Sequence, residues 1–299
     1  MNQEQLQAAT IRPAAAADLP ALYDIWYTRE VGDNPQPPAR GPWSWLEHEL
    51  ATGELLLVER DGTALGFAGT ITRGTIVFLS DCFVRADAQS SGVGRRLLQQ
   101  LLAGDGRTHC TVSSSDPRAQ ALYIRAGMRP RWPNVVLDVE ATKLGSLLAS
   151  NVEVTAGHAG DPAMIAWDAQ VGGRQRPEDL AYLVAQRQAI PLWFMRGRQQ
   201  IGYGYAQFFT PAMLWRPDTL RLGPIGARNE QDALACVGAA VEWARPRAQA
   251  LNISLPGPHV ALAALLEARF QITYVEMFLS SGAPFFDAAC YIPSGGTFF

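Results

Sequence analysis

Gln89-Ser90-Ser91-Gly92-Val93-Gly94 decides how this chain is read. It follows an apolar run, Thr75-Ile-Val-Phe-Leu-Ser-Asp-Cys-Phe-Val84, and opens a helical stretch from Val93 to Leu102. Strand, glycine loop and helix, in that order, bind phosphate. Glycine lets backbone N–H groups converge with no Cβ in the way, and the helix N-terminus adds partial positive charge. Taken alone, such a loop is equally well an ordinary tight turn.

About twenty residues on, His109-Cys-Thr-Val-Ser113 reads as a second buried strand. Asp116 then stands where an N-cap belongs, Pro117 at the first helical position, and Gly127 past the last turn. Ala119, Leu122, Tyr123 and Ala126 fall on one helix face between them. Tyr123 therefore points inward, either toward whatever the loop holds or as a core aromatic with a satisfied hydroxyl.

Together these stretches resemble the GCN5-related N-acetyltransferase (GNAT) family. Gln89-x-x-Gly92-x-Gly94 is similar to its Q/R-x-x-G-x-G/A signature, and Asp116-Pro-Arg-Ala-Gln-Ala-Leu-Tyr123-Ile-Arg-Ala-Gly127-Met128 to its N/D-P-x-A-x-x-L-Y-x-x-x-G-F motif. Met128 replaces the usual Phe, a packing change. Ile11-Arg-Pro13 with Asp18-Leu19 resembles the first strand and helix. Leu55 to Thr70 reads as a hairpin closed at Asp61-Gly62. The resemblance covers roughly residues 10–140.

The 299 residues are too many for one such domain. With 48% apolar residues the chain can build a packed core. A net charge of -3 without a basic cluster argues against nucleic acid as a partner. No apolar stretch reaches membrane-spanning length and no signal-peptide pattern opens the chain, so a cytoplasmic protein is expected. Cys82, Cys110, Cys236 and Cys290 are widely spaced and read as packed thiols. The four histidines show no metal-ligand spacing, and no metal is expected.

The second half repeats the first. Leu56-Leu-Val-Glu-Arg-Asp-Gly-Thr-Ala-Leu-Gly-Phe67 aligns with Leu192-Trp-Phe-Met-Arg-Gly-Arg-Gln-Gln-Ile-Gly-Tyr203. Ile11 to Trp26 aligns with Val152 to Trp167, and Thr219 to Ile225 with the strand ending at Val84. The expected fold is α/β: two tandem GNAT folds, each a mixed, mostly antiparallel central sheet flanked by helices. The expected limits are a catalytic domain over 1–140, a linker over 141–151, a degenerate domain over 152–280 and a docked tail over 281–299. In the second copy Glu230, Ala233 and Ala235 replace Gln89, Gly92 and Gly94. Two Cβ atoms enter the phosphate space. A carboxylate about 4 Å from a diphosphate costs on the order of 4 kcal/mol. Tyr123 aligns with Ala264 or Leu265, neither of which donates a proton. The second copy is expected to keep the fold without binding cofactor.

The resemblance implies acetyl-CoA as donor and a primary amine, of a small molecule or an aminoacyl group, as acceptor, joined by direct attack in a ternary complex. It assigns the diphosphate to the backbone of Gln89, Ser90, Ser91, Gly92, Val93, Gly94 and Arg95. It places oxyanion donation in the region of Phe83 and Val84, and proton donation to the leaving thiolate at Tyr123. Arg95 and Arg96 either meet the charged end of CoA or form a solvated face. Many relatives carry Glu-Asp on the strand before the loop, and this chain has Ser80-Asp81. Asp81, in an apolar strand, is a base, an anchor for a cationic acceptor, or a structural acid. Ser80 favours proton removal through water. Glu30 either lines the acceptor cleft with the loop Val31 to Pro38 or is simply solvated. Trp43, Trp45, Trp193, Phe194, Tyr203 and Tyr205 shape the pocket or pack the core. The Phe299 carboxylate is a further candidate, because some multidomain relatives bring a C-terminal carboxylate into the site. The duplication favours a monomeric pseudo-dimer over a homodimer. Alternatives are a non-catalytic acyl-CoA-binding regulator and transfer of a longer acyl group or to a hydroxyl.

Overall fold

In the computed structural model, residues 9–32, 44–104, 106–146, 151–208 and 218–295 are described. The loop after Gly32 with Trp43, and the Phe299 carboxylate, lie outside these residues. The first repeat runs β1 (Thr10–Pro13), α1 (Leu19–Glu30), α2 (Ser44–Thr52), β2 (Glu54–Arg60), β3 (Thr63–Arg73), β4 (Ile76–Val84), α3 (Val93–Leu101), β5 (Thr108–Ser113), α4 (Pro117–Arg125) and β6 (Arg129–Glu140). The second runs in the same order: β7 (Glu153–Ala156), α5 (Pro162–Val171), α6 (Pro177–Ala185), β8 (Ile190–Arg196), β9 (Gln199–Phe208), β10 (Thr219–Ala227), α7 (Glu230–Ala244), β11 (Ala250–Pro256), α8 (Leu262–Glu267) and β12 (Gln271–Ser280). A short β13 (Tyr291–Ile292) follows.

All strands join one sheet, in the order β1-β2-β3-β4-β5-β12-β6-β11-β10-β9-β8-β7, with β13 beside β10. The order contains an exchange. β5 pairs with β12, the last strand of the second repeat, and β11 pairs with β6, the last strand of the first. β6 and β12 pair with each other from Arg129↔Ser280 to Asp138↔Gln271. Each repeat lends its closing strand to the other, so residues 1–140 and 152–280 mark sequence repeats rather than separable sheets. The seam also removes the two strand edges at which separate sheets would end.

Alternation along β2 assigns the two faces. Leu56 and Val58 pack with Leu97, Leu98 and Leu101 of α3. Leu55 and Leu57 pack with Tyr23 and Trp45 of α1 and α2, in a cluster that includes Trp167, Leu183 and Tyr203 of the second repeat. Polar contacts tie the repeats on that second face. Buried Asp179 accepts from Arg73 Nε at 3.0 Å and lies 2.8 Å from His48 Nε2. Among the described residues no helix is long and apolar enough to cross a membrane.

Beyond β12 the chain folds back. Phe286 packs edge-on against Trp132 and Tyr291, and β13 pairs with β10 through Ile225↔Ile292 and Gly226↔Tyr291.

Candidate active site

Two parallel strands that start paired and then part make the site. β4 and β5 pair at Ile76↔Thr108, Val77↔His109 and Phe78↔Cys110, and no further. The Thr111 hydroxyl still donates to the Leu79 carbonyl at 2.8 Å. Beyond it β4 continues to Val84, held among the described residues by β3 alone, and a fork opens between β4 and β5.

A bulge sits at the fork's root. Gly69 pairs with Asp81 and Thr70 with Leu79, which leaves Ser80 as the extra residue. Its hydroxyl donates to the Gly69 carbonyl at 3.1 Å. One added residue reverses the alternation of everything after it. Val77 and Leu79 face α3 before the bulge, and Cys82 and Val84 face it afterwards. Phe83 consequently faces the α1/α2 side, with its ring 5.7 Å from that of Phe67. Asp81 shares that side, opposite Gly69.

The backbone also alternates. Arg85 N–H donates to the Leu65 carbonyl of β3, and Phe67 pairs with Phe83. The polar groups of Phe83 therefore serve β3, while those of Val84 face the fork. Of the two residues expected to supply an oxyanion donor, Val84 has the N–H on the open edge.

The glycine loop closes over the end of β4. Ser90 (φ 58°) and Gly92 (φ 98°) are left-handed, which turns successive amides in one direction. Gly92 caps α3 with no side-chain hydrogen bond, so the first-turn amides from Val93 to Arg95 have neither an intrahelical nor a capping acceptor. That is the donor set a diphosphate requires. Gly94 serves packing: a Cβ there would come within 3.2 Å of Leu122 on α4. Gln89 Oε1 accepts from Arg118 Nη1 at 3.1 Å, and Arg118 also grips Asp116, the cap of α4, at 2.7 Å. Ser91 donates to the Ala88 carbonyl. Arg96 donates to the Ala9 carbonyl at 3.0 Å, while Arg95 remains exposed.

Tyr123 is buried on the α3 side of β4, where its hydroxyl meets the Cys82 thiol. Burial, and then the neighbouring Cys82 and Asp81, push the phenol well above its ordinary range, so the hydroxyl stays protonated. Burial likewise pushes the Cys82 thiol up to about 12, which removes it as a nucleophile. On the other side of β4, burial pushes the Asp81 carboxyl up to about 6 against the pull of hydrogen bonds from Glu49 and Trp45. Glu30 ends α1 at the exposed mouth. Burial of its carboxyl, then the charges of Asp81 and Glu276, push it up, and solvent screens the effect. Glu276 belongs to the exchanged strand β12, and its Oε2 accepts from Asn134 at 2.8 Å. The strand exchange thus carries a second-repeat carboxylate to the mouth of the first fork.

Glu49 is absent from the sequence-based set. It lies on α2 three and four residues after Leu46 and Trp45, both buried, so a carboxylate on an apolar helix stripe was the available signal.

The second repeat builds the same fork and fills it. β10 pairs with β11 from Thr219↔Ala250 to Leu222↔Ile253, then parts from it. β13 occupies the opening, against Ile225 and Gly226, next to Ala227, which pairs with Gly202 as Val84 pairs with Gly66. The Ala227 N–H donates to the Cys290 carbonyl at 3.2 Å. The helix behind is already capped, since Asn229 Oδ1 accepts from the Asp232 amide at 2.9 Å with Glu230 and Asp232 in the first turn. A buried network fastens the tail: Arg176 donates to Asp168 at 2.7 and 2.8 Å, to the Tyr291 hydroxyl at 2.6 Å and to Ser294 at 2.7 Å, and Tyr203 donates to Asp168. An open depression bordered by Glu140, Thr219, Glu242 and Arg245 lies at the far ends of β10 and β11 and meets neither fork.

This is the GNAT acyltransferase fold, built twice in one chain. Residues 19–128 match the family model described as Acetyltransferase (GNAT) family, so the first repeat carries a GNAT domain. Known structures share the whole architecture. A putative acetyltransferase from Pyrococcus horikoshii is 18% identical with a TM-score of 0.74, over 98% of this chain and 96% of that one. A GCN5-related N-acetyltransferase from Anabaena variabilis is 12% identical with a TM-score of 0.62, over 91% and 72%. A tandem GNAT protein from the clavulanic acid biosynthesis pathway is 14% identical with a TM-score of 0.59, over 92% and 99%. None of the curated proteins matches by sequence.

Proposed function

We propose that the first repeat is an acetyltransferase that moves an acetyl group from acetyl-CoA to the primary amine of a small molecule or an aminoacyl group. The observation that carries this reading is the N-terminus of α3, without a side-chain cap, beside an open fork: its first-turn amides follow the strand edge of Val84, where β4 and β5 have parted and an extended pantetheine arm would lie. The GNAT domain over residues 19–128 supports acyl transfer in general. Acetyl-CoA supplies a thioester whose carbonyl carbon takes the amine and whose sulfur leaves.

The chain's residues do the rest. The amides from Gln89 to Arg95 hold the diphosphate. Val84 N–H stabilises the oxygen that gains charge as the tetrahedral carbon forms. Tyr123, kept protonated by burial, gives a proton to the departing sulfur. Asp81, across β4, takes the proton that the amine must lose before it attacks. Glu30 and Glu276 draw a cation to the mouth. Only the first repeat holds the cofactor, in the cytoplasm, and the second stands where a partner subunit would and lends Glu276 to the mouth.

Calorimetric titration of acetyl-CoA into the purified chain, followed by thiol release with a panel of amines, tests the reading. One site and amine-dependent thiol release support it. Binding without thiol release from any amine would make the chain a non-catalytic acyl-CoA-binding regulator, and no binding would leave only the fold.

A further inference from the structure

Glu49 and Asp81 meet at the root of the fork. Glu49 is wholly buried, and among the described residues neither of its carboxyl oxygens has a hydrogen-bond donor; Asp81 Oδ2 is buried without one as well. Gly69 makes room for the pair, since a Cβ there would come within 2.4 Å of Glu49 Oε2. Ser80 lies beside Glu49, but its one hydroxyl hydrogen goes to the Gly69 carbonyl. Trp45 donates to Asp81. Glu49 and Asp81 lie within hydrogen-bonding reach, and two carboxyl groups can bond to each other only if one carries a proton. Glu49 is completely enclosed and Asp81 is 6% exposed, so the proton belongs to Glu49 and an acceptor meets Asp81 first.

We propose that Glu49 is a positioning residue that stays protonated and donates its hydrogen to Asp81, so that Asp81 stands as a lone carboxylate which receives the acceptor as an alkylammonium ion and takes its proton. This rests on the acetyl-transfer reading and adds the chemical class of the acceptor. The step balances. The ammonium N–H bond breaks and the proton passes to the Asp81 carboxylate, leaving a neutral amine. The amine nitrogen bonds to the thioester carbon, the carbon–sulfur bond breaks, and the sulfur leaves as a thiol with the nitrogen's second proton by way of the Tyr123 hydroxyl. Asp81 returns its proton to solvent. The overall yield is amide, thiol and one proton. The charged and titratable groups that face Asp81 are Glu30 on α1, Cys82 on β4 and Tyr123 on α4, and Arg29 on α1 and Glu276 on β12 act in turn on Glu30. Burial and then the Asp81 charge favour a proton on Glu49, while burial of Asp81, offset by the hydrogen bonds from Glu49 and Trp45, raises its carboxyl to about 6.

The test compares Glu49→Gln, which keeps a donor, with Glu49→Leu, which keeps bulk only. Turnover with butylamine, putrescine and spermidine is followed against pH. The acid limb of kcat/KM is expected at about 6 in the parent chain and in Glu49→Gln. In Glu49→Leu it should move up by about one pH unit, a tenfold loss below the limb, with acetyl-CoA affinity unchanged in both. Equal limbs in Gln and Leu variants would overturn the proposal. Infrared difference spectra at pH 8 supply a readout without turnover. The parent chain should show a protonated carboxyl stretch that Glu49→Gln removes; its absence in the parent, or its survival in the variant, also overturns the proposal. If no amine releases thiol, the acetyl-transfer reading fails and the infrared result alone decides the state of Glu49.

Discussion

The Ala227 N–H donates to the Cys290 carbonyl beside β13 in the second fork, whereas Val84, the first-repeat counterpart of Ala227, has an open edge among the described residues. Among the described residues the same cleft therefore occurs twice, once without a strand between its walls and once closed by the tail. The tail strand bonds the edge that a pantetheine arm would need, and the capped, acidic start of α7 repels the diphosphate that would follow. Calorimetry is expected to give one acetyl-CoA per chain. Two would show that β13 leaves the fork.

Gly92→Ala should weaken acetyl-CoA binding about tenfold. Its φ of 98° lies in the region where a Cβ costs about 1–2 kcal/mol, and any relief by rotation turns the α3 amides away from their common point. Binding titration reads this loss. A variant with unaltered affinity would remove the loop from the phosphate site.

Tyr123→Phe should lower kcat about 100-fold, within the range of a lost general acid, and leave acetyl-CoA affinity near the parent value. The ring stays in its packed place beside Cys82 and only the proton donor goes. Equal losses in affinity and turnover would make Tyr123 a packing residue.

Arg176→Met should destabilise the chain by about 3–5 kcal/mol, because it leaves Asp168 charged and buried without its cation. Arg176 and Asp168 are 1% and 0% exposed, and Tyr291 and Ser294 of the tail hang on the same guanidinium. Urea titration measures the loss. A change below 1 kcal/mol would show that the tail is held by its aromatic packing alone.

Asp81→Asn should be more stable than the parent at pH 7. Burial raises the Asp81 carboxyl to about 6, so protonation stabilises the fold at low pH and that contribution disappears as pH rises through about 6. At neutral pH the parent bears a cost of up to about 3 kcal/mol that the amide does not. The two should converge as pH falls toward 4. A parent more stable than the variant at pH 7 would mean that a cation pairs with Asp81 in the folded chain.

What residues say locally was legible in the sequence. Positive φ at Gly92, the Asp116 cap followed by Pro117, the helix stripe through Tyr123 and the repeat of Leu56–Phe67 in Leu192–Tyr203 depend on neighbours a few positions apart. They determined the glycine loop, the two forks' strands and the duplication. Tertiary structure alone decided the rest. β6 and β12 hold equivalent places in the two repeats, so no local preference tells β5 to accept β12. The bulge at Ser80 reverses which side of β4 Asp81 faces, an effect of pairing with Gly69 and not of composition. Glu49 reaches Asp81 only because α2 packs over β3 where Gly69 has no side chain. The tail enters the second fork because its strand edge and its buried cation, Arg176, are both incomplete until Tyr291 and Ile292 arrive. Unpaired strand edges and buried charges find their partners through space, and the order of residues along the chain does not record the distance between them.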